Sequence, residues 1–202
     1  MMIAALTALC SRIPGCEPAV LESALELALE IAREGREGRR IGTLFTLGKA
    51  DAVLATSRAL ILDPLAGHAP ARTHISDPDL RGTMKELAQL DGAFVISEAG
   101  IVVAACRYLD ASVEQIELPL GFGSRHLAAA SVSHRLGALA IVVSESGVVR
   151  VFHRGQIEAT LIPELWLLDR HHTQLSLGAA GAVEAQRLGT ATHPPGAIDE
   201  AR

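Results

Sequence analysis

Asp91-Gly92-Ala93-Phe94-Val95-Ile96-Ser97-Glu98-Ala99-Gly100-Ile101-Val102-Val103-Ala104-Ala105 is the stretch on which the fold turns. Two β-rich runs, Phe94–Ile96 and Ile101–Ala105, flank the short turn Glu98-Ala99-Gly100, which is the pattern of a hairpin. Downstream, Gly121-Phe122-Gly123-Ser124-Arg125-His126 is a glycine-rich turn that leads into a helical segment ending at Leu136, with Ser124 as its N-cap and Gly137 as its stop. The apolar run from Ala138 to Ser144 and the run Val148–Phe152 flank Glu145-Ser146-Gly147, a second hairpin. A carboxylate, a glycine-rich basic turn and a second carboxylate, each at a strand or helix end, are the parts from which α/β proteins build phosphate and metal sites.

Upstream of this centre, Pro18 opens a helix running to about Glu34, with Val20, Leu21, Ala24, Leu25, Ala28, Ile31 and Ala32 at helical spacing and Gly35 as its stop. The basic run Arg36–Arg40 reads as a solvated turn. Ile41–Leu47 and Ala59–Leu62 read as strands. A helix starts at Ser76 or Asp77, just before Pro78, and runs to about Leu90, with Leu80, Met84, Leu87 and Leu90 on one stripe. After the second hairpin, Gln156–Leu161 can add an edge strand and Pro163–Leu168 a closing helix. From about His171 the sequence loses any periodic apolar pattern. The organisation expected is one domain over residues 1–170 and a weakly ordered tail over 171–202. Helices interleave with hairpins, so the fold class is α/β, with a mixed central sheet flanked by helices.

Composition narrows the function classes. The 202 residues carry a net charge of −5, which leaves no broad basic surface for nucleic acid. Aromatics are 3% against 49% hydrophobic, so the core is built from Leu, Val, Ile and Ala. Cys10, Cys16 and Cys106 make an odd count without paired spacing, which argues against a disulfide framework and structural zinc and for a reducing cytoplasm. No apolar run reaches the roughly 20 residues of a membrane span.

The candidate site residues follow from their chemistry. Asp91, at a strand entrance, can hold a divalent metal or take a proton from a hydroxyl, and Gly92 and Ala93 leave room for a ligand to approach the backbone. Asp-Gly is equally ordinary in a helix-to-strand turn. Gly123 and Ser124 present backbone N–H groups at a helix start, and Arg125 adds a bidentate fork for phosphate oxygens. His126 can ligate a metal or contact a phosphate, and a plain capped helix with both side chains solvated is the competing reading. Glu145 gains meaning only from company: a second carboxylate near Asp91 can complete a magnesium or manganese shell. Tyr108 can stack on a base or pack in the core.

Leu90-Asp91-Gly92-Ala93 followed by a hairpin, then Gly123-Ser124-Arg125-His126-x-Ala128-Ala129, then Ala138-x-Ala140-Ile141-Val142-Val143-Ser144-Glu145, resembles the diadenylate cyclase domain family. The upstream segment from Ala32 to Phe45, with Ile41-Gly42-Thr43-Leu44-Phe45, is similar to it as well, so the resemblance spans roughly residues 20–165. It implies condensation of two ATP into cyclic di-AMP with release of two pyrophosphates. It also implies a divalent cofactor, Mn or Mg, and a homo-oligomer whose active sites meet face to face. Carried onto this sequence, Asp91 is catalytic; Gly92, Ala93, Gly123, Ser124, Arg125 and His126 bind nucleotide; and Asp91, His126 and Glu145 hold metal. The family's usual Arg-His-Arg is here Arg125-His126-Leu127, which lacks the second arginine. A catalytically weak or silent adenine-nucleotide binder of the same fold and a plain structural α/β module are the alternatives.

Overall fold

A computed structural model describes residues 8, 10–11, 15–111, 116 and 118–168. The expected tail at 171–202 lies outside the described residues. Helix α1 (Pro18–Glu34) is followed by strand β1 (Thr43–Leu47), the short helix α2 (Ala50–Ala55) and strand β2 (Ser57–Ala59). Helix α3 (Pro78–Leu87) and the hairpin of β3 (Ala93–Ile96) and β4 (Val102–Leu109) come next. Helix α4 (Ser124–Leu136) leads into β5 (Leu139–Val143), β6 (Val149–His153) and β7 (Gln156–Leu161). Among the described residues the strands form one sheet in the order β2-β4-β3-β1-β5-β6-β7. Only β1 and β3 run parallel; the other neighbours are antiparallel, so the sheet is mixed, as expected.

The central strands β1, β3 and β5 are buried along their whole length. Alternate residues divide between two cores, because successive side chains of a strand point to opposite faces. Phe45, Phe94, Leu139, Ile141 and Val143 pack towards α1, whereas Leu44, Val95, Ala140 and Val142 pack with Ala129, Ala130 and Val132 of α4. The sheet is thus covered on both faces, which is why its middle strands read as continuous apolar runs. Helix α1 is buried further round than its stripe implied, with Leu27 and Leu29 joining the core. Its flank is partly covered too: Glu30 takes charge-assisted contacts from Arg81 at 2.9 Å and Lys85 at 2.8 Å.

Both hairpins, the edge strand β7 and a helical closure at 163–168 stand where the sequence places them. Several expectations need correcting. The strand expected at Ala59–Leu62 begins and ends earlier, and Leu62 is almost fully exposed. Helix α3 stops at Leu87; its N-cap is Asp77, whose Oδ1 accepts the N–H groups of Asp79 and Leu80. The N-cap of α4 is Gly123 and not Ser124, which is already the first helical residue. Helix α2 gave no periodic signal because six residues are too few; it is started by Lys49 in the left-handed region, whose N–H donates to Glu98 Oε1 at 2.7 Å. Cys10 and Cys16 are joined in a disulfide, leaving Cys106 as the free, buried cysteine among the described residues. The odd count concealed one pair within six residues, so the cysteines give no support to a reducing compartment. Among the described residues no helix is long and apolar enough to cross a membrane.

Candidate functional site

Asp91, Arg125 and Glu145 come together. Arg125, in the first turn of α4, donates from Nη2 to Asp91 Oδ1 at 3.4 Å and from Nη1 to Glu145 Oε1 at 3.2 Å. Asp91 immediately precedes Gly92 and β3, and Glu145 lies just beyond the end of β5. The two flank opposite sides of β1, because β1 pairs with β3 in parallel and with β5 antiparallel. One sheet end therefore gathers both carboxylates, and the start of α4 lays a guanidinium between them. Both carboxylates are largely exposed, so each pair is worth at most about 1 kcal/mol and can be exchanged for a ligand at little cost.

The position of Asp91 depends on a bulge in the facing strand. Ala93 pairs with Arg107, but Val95 pairs with Ala104, so the register shifts between them. Cys106, inside that bulge, has φ +54°, and its carbonyl accepts the Leu60 N–H at 2.9 Å. Asp63 Oδ1 accepts the Ala105 N–H at 3.1 Å and so ties the bulge from outside. Burial pushes the Cys106 thiol up from its ordinary value, helped by Asp63 and Asp91. Gly92 lies flat on this backbone with φ +107°, and Asp91 Oδ1 accepts its N–H at 2.9 Å.

Two open clefts meet at Ser124 and Arg125. The first combines Asp91 and Gly92 with Leu44, Leu60, Tyr108 and Leu109. The second is bordered by Gly121, Gly123, His126, Ser144 and Glu145. One is apolar with an aromatic wall and the other is polar with helix-start N–H groups, and both open to solvent. Tyr108 is 40% exposed, so of its two expected places it does not take the core, and Arg58 lies over its ring at 4.4 Å.

His126 stands apart from the carboxylate pair. It is buried, and burial, then Arg150 and Arg125, pushes its imidazole down to about 4. Neutral at ordinary pH, it accepts at Nε2 from Arg150 Nη1 at 3.2 Å, because arginine can only donate. Its remaining ring nitrogen then carries the proton, so in this arrangement it offers a metal no lone pair. Phe122 and Phe152 pack edge-on against it at 4.7 Å and 6.2 Å. Among the described residues no group of three or more His, Cys, Asp or Glu closes on a common point. A metal would therefore have Asp91 and Glu145 as its protein ligands, a pair that fits an oxygen-seeking ion which keeps water and phosphate oxygens in its shell. Leu127, where the resembling motif has its second arginine, is half-buried on α4.

The sequence reading missed Gly42 and Arg150. Gly42 sits under Arg125: a Cβ there would meet Arg125 Nη1 at 2.8 Å and Glu145 Cγ at 3.2 Å. Gly42→Ala should melt within about 3 °C of wild type, since the nearest clash is with the mobile end of a long side chain. Displacing Arg125 should lower affinity for a phosphate-bearing ligand about tenfold. A variant that binds such a ligand like wild type would show that the floor of the site tolerates a methyl group.

A family model described as "DisA bacterial checkpoint controller nucleotide-binding" matches residues 30–157. The chain is 47% identical over 138 residues to a diadenylate cyclase of Methanocaldococcus jannaschii, a match covering 68% of this chain and 43% of that protein. It is 38% identical over 151 residues to a diadenylate cyclase of Haloferax volcanii, covering 74% of this chain and 55% of that protein. The chain thus spans about half the length of these curated relatives. Among solved structures, a double mutant of DacA from Staphylococcus aureus aligns with a TM-score of 0.49 and 24% identity, over 76% of this chain and 95% of that one.

Proposed function

The chain belongs to the diadenylate cyclase (DisA nucleotide-binding) domain family, and from that premise we propose that it condenses two ATP into cyclic di-AMP, releasing two pyrophosphates. The observation that carries this reading is the meeting of an apolar, Tyr108-walled cleft and a polar, glycine-turn cleft at Arg125, with Asp91 and Glu145 on either side. An adenosine fits the first by stacking and apolar contact, and a triphosphate fits the second by charge and backbone N–H groups.

In this mechanism Gly92 and Ala93 admit the nucleotide to the backbone, and Gly123 and Ser124 turn N–H groups towards the phosphates. Arg125 exchanges one or both carboxylates for phosphate oxygens, charge-assisted bonds worth about 1.5–3 kcal/mol each. Asp91 positions the ribose 3′-hydroxyl and takes its proton. The 3′-oxygen then bonds to the α-phosphorus of the ATP on a facing domain, and the bond from that phosphorus to pyrophosphate breaks. A second, symmetry-related step closes the ring. One domain holds one ATP, so the reaction requires a homo-oligomer with facing sites. Asp91 and Glu145 would hold a divalent ion, Mn or Mg, which would supply further neutralisation of phosphate charge. Most of the acceleration comes from positioning and charge stabilisation.

Incubation of the purified chain with ATP and Mn, followed by mass detection, should yield cyclic di-AMP and pyrophosphate in a ratio of one to two. The single arginine in the first turn of α4 favours a second reading, a nucleotide binder that turns over weakly or not at all. An ATP-dependent rise in melting temperature without product would establish the binder. Neither product nor thermal shift would remove both readings.

A further inference from the structure

Arg150 is the second residue of β6, paired in register with Val142 of β5 and Thr160 of β7. It does not line either cleft, yet its guanidinium reaches the back of the glycine turn at two points. Nη1 is 3.2 Å from His126 Nε2, and Cζ lies 4.8 Å from the centre of the Phe122 ring. Phe122 and His126 meet edge to face at 4.7 Å, at an interplanar angle of 89°. Three planar groups, one from the turn, one from the first turn of α4 and one from the sheet, therefore lock into a single packed unit.

Among the described residues the turn is otherwise tied by the Gly123 carbonyl, which accepts the His126 N–H at 3.0 Å and the Leu127 N–H at 3.3 Å. A Cβ at Gly121 or Gly123 would meet nothing within 4 Å, and Gly121 has φ +96°. Leu120, just before it, is fully exposed. Phe122, half-buried between the two glycines, is thus the side chain that pins the turn to the body of the protein. Its ring face receives the Arg150 cation, a contact whose strength grows with desolvation. Through His126 the same guanidinium holds the residue that follows Arg125.

We infer that Arg150 is a positioning residue for the phosphate-binding turn. By holding Phe122 and His126 it sets where the N–H groups at Gly123 and Ser124 and the fork of Arg125 point. It does so without touching the ligand. This rests on the reading of the turn as the nucleotide's phosphate site.

The test uses Arg150→Met, which keeps a straight apolar chain and removes charge and donors; Arg150→Lys, which keeps the charge; and Phe122→Leu, alone and combined with Arg150→Met. Arg150→Met should weaken binding of a non-hydrolysable ATP analogue, and raise the KM for ATP, about tenfold, with kcat changed less than about threefold. Arg150→Lys should recover part of that loss. The double variant should be no worse than the poorer single variant, because both act on one contact. A residue that merely stabilised β6 would lower the melting temperature, and its effects would multiply with those of Phe122→Leu. Wild-type analogue affinity in a folded Arg150→Met, or multiplied effects in the double variant, would overturn the inference. The amide resonances of Gly121 and Gly123 give a readout free of nucleotide: Arg150→Met and Arg150→Lys should both shift them. If wild type binds no nucleotide and these amides still move, the nucleotide reading fails and the anchoring of the turn stands. If they do not move, the anchoring itself is wrong.

Discussion

Asp91→Asn should give a folded protein that makes no detectable cyclic dinucleotide, a loss on the order of 10²–10⁴-fold. Asparagine keeps the size of the side chain and an oxygen able to accept the Gly92 N–H, which lies at 2.9 Å from Oδ1. What it removes is the charge that would hold a divalent ion and the basicity that would receive the 3′-hydroxyl proton. Stability should barely change. The Asp91 side chain is 79% exposed, and its pair with Arg125 is a surface pair worth about 1 kcal/mol at most. The two measurements must be read together: a near wild-type melting temperature with product lost assigns the chemistry to the carboxylate. Product at a near wild-type rate takes Asp91 out of the mechanism.

Gly92→Ala should fail differently, through the backbone. At φ +107° an L side chain is strained by about 1–3 kcal/mol. The added Cβ would also lie 2.6 Å from the Cys106 carbonyl carbon, 2.7 Å from its Cα and 2.9 Å from the Arg107 nitrogen. All three are main-chain atoms in a bulge tied down by Asp63 and Leu60, so they cannot swing aside. Overpacking of this kind adds about 1–3 kcal/mol. A combined loss of about 3 kcal/mol lowers the melting temperature of a chain this size by roughly 6–12 °C. Activity should fall with it, because Asp91 moves whenever Gly92 does. A melting temperature within about 2 °C of wild type would mean that the bulge yields and that the glycine is there for another reason.

Much of this arrangement was legible in the sequence because it rests on local patterns. Both hairpins announce themselves as β-rich runs across glycine turns, and α1 carries its periodicity between Pro18 and Gly35. The association of Asp91, Arg125 and Glu145 was legible as chemistry, three groups at element ends, before their distances were known. What escaped the sequence depends on tertiary neighbours. Gly42 looks like any strand-entrance glycine until Arg125 is laid over it. Arg150 reads as an ordinary polar position on a strand, and only the packing of β6 beneath α4 brings it to His126 and Phe122. His126 read as a metal ligand because its type allows it; the donor that occupies its Nε2 comes from a different strand. Tyr108 lies opposite Arg58 of β2, and its ring lines the apolar cleft, a placement that only the tertiary fold decides.

The pairing of β1 has a consequence for when the site can exist during synthesis. Its two neighbours, β3 and β5, are encoded far downstream, and Glu145 follows the later of them. A ribosome-bound chain that has released β1 through β4 already contains Asp91 and its hairpin, yet lacks Arg125, the polar cleft and one border of β1. Until β5 has emerged and closed against it, that exposed border offers unpaired N–H and C=O groups to any other strand nearby. Such an intermediate already holds most of the apolar cleft but none of the polar one, so a phosphate-bearing ligand has no purchase on it. The growing domain therefore passes through an interval in which it is sticky but blind to phosphate, and translation from Asp91 to Glu145 must finish before that interval can end.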